Sequence, residues 1–368
     1  MFPRVSIIIL NWNGWRDTIE CLESLYRITY PNYDVIIIDN GSKDDSIERI
    51  KKYAEGKIEI NSKFFRYNPN NKPIKVFELT ENEAKQGKFN YRLYEKYDPD
   101  RRLILIKNKG NYGFAGGNNI GIKFALSVFD PDYILLLNND TVVDKNFLTE
   151  LVKVAERNKK IGSLQPKLIW LQNPKLLDSA GLEYSKNGFG FDRGKFQPID
   201  QYDKTEEIFG SCGAATMYRS EALLDIAPDG DFLDSLFFCY YEDIDLAFRL
   251  RWSGWVSYYV PTSIVHHYRG KTGGNVSDFN IYHSLRNHAF CFIKNMPFNV
   301  TSTILGIIGS LTLAIYDIIF RRKINAVSKG YVNIFKNLTV IMRKRRFVKR
   351  KVPIEKIARI LILKWRAY

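Results

Sequence analysis

The first 160 residues alternate short runs of apolar, mostly β-branched side chains with segments whose apolar residues recur at helical spacing. The run at residues 5–10 (VSIIIL) is apolar throughout, as expected of a strand covered on both faces. Strands are predicted over residues 5–10, 34–39, 103–106 and 133–137, and helices over residues 17–26, 45–53, 117–129 and 147–157. This alternation predicts an α/β fold with a mainly parallel central sheet.

The alternation breaks down between residues 57 and 102. This stretch is rich in Asn, Lys, Tyr and Glu and is far longer than the usual connection between a helix and the next strand. We predict that it forms an inserted hairpin or lid at the sheet edge. A mixed region follows from residue 161, and residues 1–296, including the insertion, are assigned to one domain.

Beyond Pro297 the pattern becomes that of an amphipathic helical tail. Residues 300–320 hold 13 apolar residues out of 21 and a single charge. On a helical wheel one face carries Ile304, Ile307, Ile308, Leu311, Ile315, Ile318 and Ile319. The opposite face carries Thr303, Gly306, Ser310 and Asp317. This division favours a helix that lies in a membrane interface over one that spans the bilayer.

The net charge of the chain is concentrated in the tail. The sequence has 55 Lys and Arg against 40 Asp and Glu, a net charge of +15. Residues 321–368 contain 16 bases and one acid, Glu355, and therefore carry the entire excess. Basic clusters at residues 321–323 and 343–351 alternate with apolar helical segments, as binding to an anionic leaflet requires. We predict that residues 297–368 associate with an anionic membrane surface; a helical packing domain with a solvated basic face is the alternative.

Cysteine spacing and the N-terminus bear on location. The four cysteines are widely spaced and include no CxxC, which fits neither a disulfide scaffold nor a zinc site. The apolar run at residues 5–10 is too short for the core of a secretory signal. These features predict a cytoplasmic protein, peripheral on the inner face of the cell membrane.

Polar turns follow three of the predicted strands: NWNG at residues 11–14, DNGS at residues 39–42 and NND at residues 138–140. Each alone is ordinary turn chemistry. Because the carboxyl ends of parallel strands meet at one edge of a sheet, three such turns predict a ligand-binding rim. Asp140 is a candidate ligand for a hard divalent cation, with substrate phosphates completing the coordination.

A glycine-rich segment, NYGFAGGNN at residues 111–119, opens the third predicted helix. Glycines allow a ligand to approach the backbone closely, and a helix N-terminus favours negative charge. The segment matches neither GxGxxG nor the P-loop pattern, so the site is of neither the dinucleotide nor the P-loop type.

Seven segments of the chain resemble the signature blocks of glycosyltransferase family 2, closest to its rhamnosyltransferase-like subgroup. In order they are residues 5–14, 35–42, 111–119, 133–142, 210–223, 237–250 and 260–274. The resemblance covers about residues 3–295 apart from the insertion. It implies a GT-A fold, which is Rossmann-like with helices on both faces of the sheet. It further implies a nucleotide-sugar donor, a divalent metal (Mg²⁺ or Mn²⁺) and inversion at the anomeric carbon.

The resemblance also implies roles for residues on the donor side. Asp39 resembles the carboxylate that reads a pyrimidine base, and the loop with Asn11 and Asn13 would frame the base and ribose. The turn at residues 138–140 corresponds to the family's D-x-D motif, with Asn138 in place of the first acid and Asp140 as metal ligand. The other expected nucleotide-sugar contacts are Gly116, Asn118, Asn139, Arg269 and Lys271, although the last two would also suit a solvated loop.

The segment YYEDID at residues 240–245 resembles the block that supplies the catalytic base. Independently, Glu242 and Asp243 open a predicted helix among aromatic residues, which would desolvate a carboxylate and raise its pKa. Simple helix-dipole stabilisation is the alternative. We expect Asp243 to be the general base and Glu242 to orient the acceptor.

The pair His266-His267 ends a strand-like run. Adjacent residues of a strand point to opposite sides, so only one of the two should face the site. The family pattern favours His266 as the second metal ligand, and a structural histidine is the alternative.

Together these features predict an inverting glycosyltransferase with a dTDP-rhamnose or UDP-hexose type of donor. The expected acceptor is lipid-linked or a cell-surface polysaccharide. Two alternatives are a nucleic-acid-binding protein that uses the basic tail and an inactive nucleotide-sugar sensor. The tail has no recognised nucleic-acid motif, so we expect no nucleic-acid partner.

Overall fold

The structure is a computed structural model that describes residues 2–227, 230–269, 277–297 and 300–362. The strands are β1 Val5–Asn11, β2 Tyr33–Asp39, β3 Lys75–Thr80, β4 Arg102–Lys107, β5 Tyr133–Asn138, β6 Thr141–Val143, β7 Ile161–Trp170, β8 Leu177–Ser179, β9 Leu182–Tyr184, β10 Gly190–Asp192, β11 Glu206–Ile208, β12 Ala215–Arg219 and β13 Val256–His267. The α-helices are α1 Trp15–Leu25, α2 Ser46–Ala54, α3 Glu81–Lys85, α4 Tyr91–Tyr94, α5 Gly113–Val128, α6 Phe147–Ala155, α7 Ser220–Ile226, α8 Glu242–Trp252, α9 Asp278–Asn295, α10 Val300–Ile319, α11 Ile324–Phe347 and α12 Ile354–Ile360.

One large sheet organises the chain from β1 to β13. Among the described residues its strand order is β11-β13-β7-β12-β5-β1-β2-β4-β3, with β6 paired to β13 and β8 to β7. The five strands from β1 to β5 run parallel to one another. Strand β12 runs antiparallel to both β5 and β7. The predicted α/β fold with a mainly parallel central sheet is therefore confirmed.

The sheet is covered on both faces, which explains its continuous apolar strands. In β1, Ile7 and Ile9 belong to the core on one face, and the fully buried Ile8 belongs to the core on the other. Alternate residues of β2 and β5 divide between the same two cores. Because neither face meets water, a polar position in these strands would be costly, and the apolar runs follow.

The insertion at residues 57–102 forms a further strand at the sheet edge. Strand β3 pairs with β4 in parallel register, from Lys75 opposite Arg102 onward. A hairpin joins antiparallel strands, so the predicted hairpin is wrong, although the location at the sheet edge is correct. Parallel strands need a crossover, and the short helices α3 and α4 provide it.

The tail packs on the preceding domain through its basic residues. Lys344 of α11 lies 2.7 Å from Asp234 and 3.2 Å from Asp231, and Lys351 lies 2.9 Å from Asp225. Helix α11 also packs along α9. In the described part of the chain, no helix combines the length and apolarity needed to cross a membrane.

Candidate active site

Three strand ends meet at one edge of the sheet. Asn11 of β1 is in register with Asp39 of β2, and Leu10 is in register with Asn138 of β5. The turns that follow these strands, residues 11–14, 39–42 and 138–140, therefore lie side by side. We call these three turns the rim.

Asp39 is buried, and the turn that follows it holds its carboxylate. Oδ1 accepts hydrogen bonds from Nδ2 of Asn11 at 2.8 Å and from the hydroxyl of Ser42 at 2.6 Å. Oδ2 accepts a bond from the backbone N–H of Ser42 at 3.1 Å. The Ser42 hydroxyl oxygen also accepts from the backbone N–H of Asn13 at 3.0 Å. These bonds fix the orientation of the carboxylate and tie the first two turns of the rim together.

Asn139 connects the third turn of the rim to the first. Its Nδ2 donates to Oγ1 of Thr18 at 3.0 Å and to the carbonyl oxygen of Gly14 at 3.3 Å. A Cβ atom at Gly14 would lie 2.7 Å from that nitrogen, so a side chain at this position would displace the Asn139 amide from these bonds. The Thr18 hydroxyl also donates to Oδ1 of Asn11 at 2.8 Å. The Asn139 amide therefore braces the rim.

Asn40 holds the glycine-rich segment against the rim. Its Nδ2 donates to Oδ1 of Asn111 at 3.0 Å and to the carbonyl oxygen of Gly113 at 3.1 Å. Its Oδ1 accepts from Nδ2 of Asn108 at 3.1 Å. One buried amide thus sets the path of the backbone into the N-terminus of α5.

Asp140 lies next to His267 at the end of β13. Its Oδ1 is 3.3 Å from Nε2 of His267, whose Nδ1 is 2.7 Å from Oδ2 of the buried Asp178. Burial disfavours the charged imidazole, yet Asp140 and Asp178 together raise the pKa of His267 to about 9. Burial would raise the pKa of Asp178, but His267 and Arg269 lower it to about 2. A carboxylate–histidine–carboxylate chain thus stands beside the rim.

His266, the predicted second metal ligand, lies on the other side of the strand. Its ring packs against Phe64 with the ring centroids 4.6 Å apart. Because side chains alternate along a strand, His267 and not His266 points to Asp140, and the prediction of His266 is wrong. The register between β13 and β7 shifts between Val260 and Ile264, so the side that each histidine faces cannot be counted along the sequence.

Arg269 is bound to carboxylates of the body. Its Nε donates to Oδ1 of Asp178, and one Nη lies 2.8 Å from Oδ2 of Asp192 in β10. The guanidinium therefore belongs to the same charged cluster as His267. The alternative that Arg269 lies in a solvated loop does not account for these ion pairs. Lys271, the other predicted diphosphate contact, lies outside the described residues.

Glu242 and Asp243 begin helix α8. Oδ2 of Asp243 accepts from the backbone N–H of Gly213 at 3.0 Å, and its Oδ1 accepts from that of Ile244 at 2.8 Å. Burial raises the pKa of Asp243 to about 6, with a further contribution from Asp192, although the bond from Gly213 favours the charged form. Burial, followed by repulsion from Asp243, raises the pKa of Glu242 well above its usual range.

The turn before α8, residues 237–241, has a strained backbone. Phe238, Tyr240 and Tyr241 have φ angles of 65°, 67° and 69°, in the left-handed region that bulky residues rarely adopt. The carbonyl oxygen of Phe238 accepts from the backbone N–H of Ala115 at 3.1 Å. We call residues 237–241 the α8 turn; it touches the glycine-rich segment and leads directly into Glu242 and Asp243.

Helix α9 holds the α8 turn in place. Nδ2 of Asn287 lies 2.9, 2.7 and 2.8 Å from the carbonyl oxygens of Phe237, Cys239 and Tyr240. Arg286 adds a bond of 2.7 Å to the carbonyl of Phe237. The strained conformation is therefore imposed by buried side chains from a distant part of the sequence, a pattern typical of functional sites.

A single peptide segment separates the α8 side of the site from the rim. Gly213 donates to Asp243, and the next residue, Ala214, accepts a bond of 2.8 Å from the backbone N–H of Asn138. Asp243 and the turn with Asp140 therefore lie on either side of residues 213–214. The site combines two carboxylates at a helix start with a polar rim and a charged cluster.

Two family models match the chain. The model described as "Glycosyl transferase family 2" matches residues 6–93, and the model described as "Glycosyltransferase like family 2" matches residues 69–287, more than half of the chain. The chain belongs to glycosyltransferase family 2. The matched residues of this family-2 protein extend from β1 to α9 and include both the rim and the α8 turn.

Known proteins resemble the chain at lower levels of identity. The low-salt glycan biosynthesis hexosyltransferase Agl10 of Haloferax volcanii is 27% identical over 159 residues, which are 40% of this chain and 46% of that protein. The chain spans less than half the length of the curated relatives it matches.

Solved structures of glycosyltransferases show the same fold. The mannosyltransferase PcManGT from Pyrobaculum calidifontis, in complex with GDP-Man and Mn²⁺, has a TM-score of 0.51 at 12% identity and covers 95% of this chain and 85% of its own. GalNAc-T7 with UDP, GalNAc and Mn²⁺ has a TM-score of 0.55 at 14% identity, over 92% of this chain and 58% of its own. This family-2 chain thus has a GT-A-like α/β fold.

The structure gathers most of the residues predicted from the family-2 blocks. The rim and its surroundings bring together Asn11, Asn13, Asp39, Asn139 and Asp140. Asn118 is buried, and its Nδ2 donates to the carbonyl of Phe114 at 2.9 Å within α5, so this amide is used inside the helix. Gly116 lies in the same helix, against the side chain of Tyr112.

Sequence analysis missed several residues that shape the site. They are Thr18, Ser42, Asp178, Asp192 and Asn287. Ser42 stood within a recognised motif, DNGS, and its turn position was a usable signal. Asp178 and Asp192 lie in strands of three residues, which are too short to give a recognisable sequence pattern. Asn287 belongs to α9, which is distant in sequence from the turn that it binds.

The family's divalent cation can be tested against the residues present. Among the described residues, no three His, Cys, Asp or Glu side chains form a cluster able to hold a metal by themselves. Asp140 and His267 nevertheless direct an oxygen and a nitrogen at each other across 3.3 Å, and Asp178 orients the imidazole. This pair fits a cation such as Mn²⁺ whose other ligands come from a diphosphate.

Proposed function

We propose that this family-2 protein is an inverting, metal-dependent glycosyltransferase with Asp243 as general base and a nucleotide-diphosphate sugar as donor. One observation carries the proposal: a carboxylate with a pKa of about 6 lies across residues 213–214 from the Asp140 turn. Such a group is ionised at neutral pH and remains basic enough to accept a proton during the reaction.

In the proposed step, Asp243 takes the proton of the acceptor hydroxyl as that oxygen attacks C1 of the donor sugar. The bond between C1 and the diphosphate oxygen breaks, the diphosphate leaves with the electron pair, and the configuration at C1 inverts. Glu242 orients the acceptor, since its raised pKa favours the protonated form, which can donate a hydrogen bond.

The leaving diphosphate requires positive charge nearby. Asp140 and His267 would hold the divalent cation, Mg²⁺ or Mn²⁺, whose charge stabilises the diphosphate when it is bound. The bond between Nδ1 of His267 and Asp178 leaves Nε2 facing Asp140. Two of the glycosyltransferases with a similar fold were solved with Mn²⁺.

We further propose a pyrimidine nucleotide donor of the dTDP-rhamnose or UDP-hexose type. The support is Asp39, a buried carboxylate on the rim whose orientation is fixed by Asn11 and Ser42. A carboxylate accepts hydrogen bonds and therefore suits the ring N–H of uracil or thymine. The loop with Asn13 would frame the base and ribose.

The proposed acceptor is lipid-linked or a cell-surface polysaccharide, and the proposed site of action is the inner face of the cell membrane, reached from the cytoplasm. The support is the tail: residues 321–368 carry a net charge of +15, and helices α10 and α11 of the tail are amphipathic. Such helices bind anionic leaflets through both charge and apolar area.

The test of catalysis is a screen of dTDP-rhamnose, UDP-hexoses and GDP-mannose for donor binding and hydrolysis with Mg²⁺ or Mn²⁺. With the donor that the screen selects, Asp243→Asn should lower turnover about a thousandfold and leave the donor Kd unchanged. Asp200→Asn, an exposed aspartate far along the chain, is the matched control. Full turnover by Asp243→Asn contradicts the assigned base, and preference for GDP-mannose contradicts the pyrimidine donor.

A further inference from the structure

Helix α10 turns its apolar side to solvent. The residues predicted to share one face have between 38% and 62% of their surface exposed: Ile304, Ile307, Ile308, Leu311, Ile315, Ile318 and Ile319. Phe320, directly after the helix, is 72% exposed. Soluble proteins rarely leave so many neighbouring apolar side chains uncovered unless the surface binds something.

The opposite side of α10 is small or polar and faces the body. A Cβ atom at Gly309 would lie 2.6 Å from the carbonyl oxygen of Asn187, and one at Gly306 would collide with the ring of Phe292. Asp317 is also buried on this side and lies 2.9 Å from Arg321. Because only small residues fit against the body, α10 cannot rotate its isoleucines inward without losing this packing.

Helix α11 extends the apolar surface. The hydroxyl oxygen of Tyr331 is 3.3 Å from the hydroxyl oxygen of Ser310, so the side of α11 that carries Tyr331 lies against α10. At 100° per residue, Ile324, Phe335 and Met342 follow the same side of the helix as Tyr331. Their exposed fractions are 58%, 73% and 42%. The exposed apolar side chains of the two helices thus form one continuous surface.

A row of basic side chains borders that surface. Lys329, Lys336 and Arg343 are exposed and recur every seven residues, so they form a line along α11. Within the described parts of the chain no carboxylate pairs with any of the three. Lys344 and Lys351, in contrast, are bound to aspartates of the body. The tail therefore uses one set of bases for packing and leaves another beside the apolar surface.

We propose that the α10–α11 surface, made of the exposed apolar residues of both helices and the row Lys329–Lys336–Arg343, docks on an anionic lipid bilayer. The apolar residues enter the boundary between headgroups and acyl chains, and the basic row lies at the phosphates. Charge complementarity selects this occupant, because a second copy of the chain would bring the same positive row to the interface.

The surface is close to the active site. The turn between β9 and β10 contacts α10 at Gly309 through Asn187 and Phe189, and its next residue, Gly190, packs against Ile244 of α8. The thickness of α10 and one hairpin therefore separate the proposed docking surface from the helix that carries Asp243. The resulting expectation, that the acceptor is lipid-linked and is glycosylated close to its anchor, rests on the proposed function, whereas the docking surface does not.

Flotation of the full chain with lipid vesicles tests the docking surface without donor or acceptor. One set of vesicles contains equal amounts of phosphatidylglycerol and phosphatidylcholine, and the other contains phosphatidylcholine alone. The protein should float with the anionic vesicles and much less with the neutral ones. The double variant Ile307→Asn, Leu311→Asn should lose about tenfold or more in vesicle affinity, since two side chains that enter the bilayer become polar.

The basic row is tested by the triple variant Lys329→Gln, Lys336→Gln, Arg343→Gln. Its affinity for anionic vesicles should fall about a hundredfold at low salt. The control is Lys75→Gln, Lys88→Gln, Lys175→Gln, three exposed lysines elsewhere, which removes the same charge and should bind like wild type. All variants change exposed side chains, and unchanged thermal melting together with unchanged donor hydrolysis confirms an intact body.

Three results would overturn the docking proposal. They are absence of vesicle binding by wild type, wild-type binding by the Ile307→Asn, Leu311→Asn variant, and a dimer in sedimentation that this variant dissociates. Preferential binding of RNA or DNA by the same bases would also overturn it. If flotation succeeds and no donor is used, the docking surface stands and the proposed function fails.

Discussion

The rim and the α8 turn both contain left-handed backbone, but with different residues. On the rim the residues with positive φ are Asn13 and Gly41, at 51° and 73°. Asparagine and glycine adopt this conformation at little cost. In the α8 turn the corresponding residues are phenylalanine and tyrosine, for which each such conformation costs roughly 1–3 kcal/mol. The residues of the rim thus adopt their backbone conformation at little cost. The conformation of the α8 turn, in contrast, must be stabilised by contacts from other parts of the chain.

The contacts that hold the α8 side come from far along the chain. Asn287 of α9 binds the turn itself, and Lys294 of the same helix lies 2.6 Å from Asp234 and 2.9 Å from Asp245. Lys344, from the tail, lies 2.7 Å from Asp234. The tail is therefore part of the framework around Glu242 and Asp243, and it packs against segments on the other side of the boundary predicted at residue 296.

The largest expected effect tests the support of the α8 turn. Asn287→Ala removes the amide that binds three carbonyl oxygens, so the turn relaxes and Asp243 moves relative to the acceptor. We expect kcat to fall about a hundredfold, since small misplacements of catalytic groups have effects of this size. The free energy of unfolding should fall by about 1–3 kcal/mol, because buried carbonyls lose their partners. Transfer kinetics and urea denaturation measure the two quantities.

Asn40→Ala is the matched variant on the other side of the site, because Asn40 is also a buried amide that holds a loop. We expect it to weaken donor binding about tenfold and to change kcat much less, since it positions the glycine-rich segment and not the base. If Asn287→Ala weakens donor binding as much as Asn40→Ala does and leaves kcat unchanged, then the α8 turn does not position the base separately from the donor side, and the comparison is wrong.

This difference also explains what the sequence could reveal. The positions of Asp39 and Asp140 were predictable because Asp39 ends a buried parallel strand and Asp140 lies in the turn after another, and an apolar strand pattern is a local property of the sequence. Glu242 and Asp243 were visible from another local pattern, two acids that open a predicted helix after a run of aromatic residues. Asp178 and Asn287 were not, since their roles depend on three-dimensional contacts that no spacing encodes. The choice of His266 rested on the family pattern, since alternation says only that one of two adjacent histidines faces the site. The register shift earlier in β13 removes the count along the strand that could have decided between them.

The two adjacent histidines allow a sharp test of the metal pair. His267→Ala should lower the Mn²⁺-dependent affinity for nucleotide by about tenfold or more, since it removes a ligand and releases Asp178. His266→Ala should have little effect on this affinity, because its ring packs against Phe64. Calorimetric titration of nucleotide with and without Mn²⁺ measures both. Equal losses in the two variants would contradict the assignment of His267.

A smaller effect tests the strain in the α8 turn. At Tyr240, with φ of 67°, glycine relieves a conformation that alanine retains. We expect Tyr240→Gly to be more stable than Tyr240→Ala by about 1 kcal/mol in urea denaturation, although glycine normally destabilises a chain relative to alanine. At Trp15, within α1, the order should be reversed, with alanine the more stable. Alanine more stable than glycine at Tyr240 would mean that the turn is not strained.

The smallest effect is a shift in the pH dependence of transfer. Asp243 acts as base only when deprotonated, so kcat should fall as the pH drops below its pKa of about 6. The titratable groups that face it are Glu242, whose raised pKa favours the neutral form, and Asp192, which is paired with Arg269. Asp192→Asn removes a negative charge and releases Arg269, and both changes favour the ionised base. The acidic limb of the pH profile should therefore move to lower pH, by about 0.5 unit, while Asp200→Asn leaves it in place. A shift to higher pH, or the same limb in Asp243→Asn, would show that the profile reports a different group.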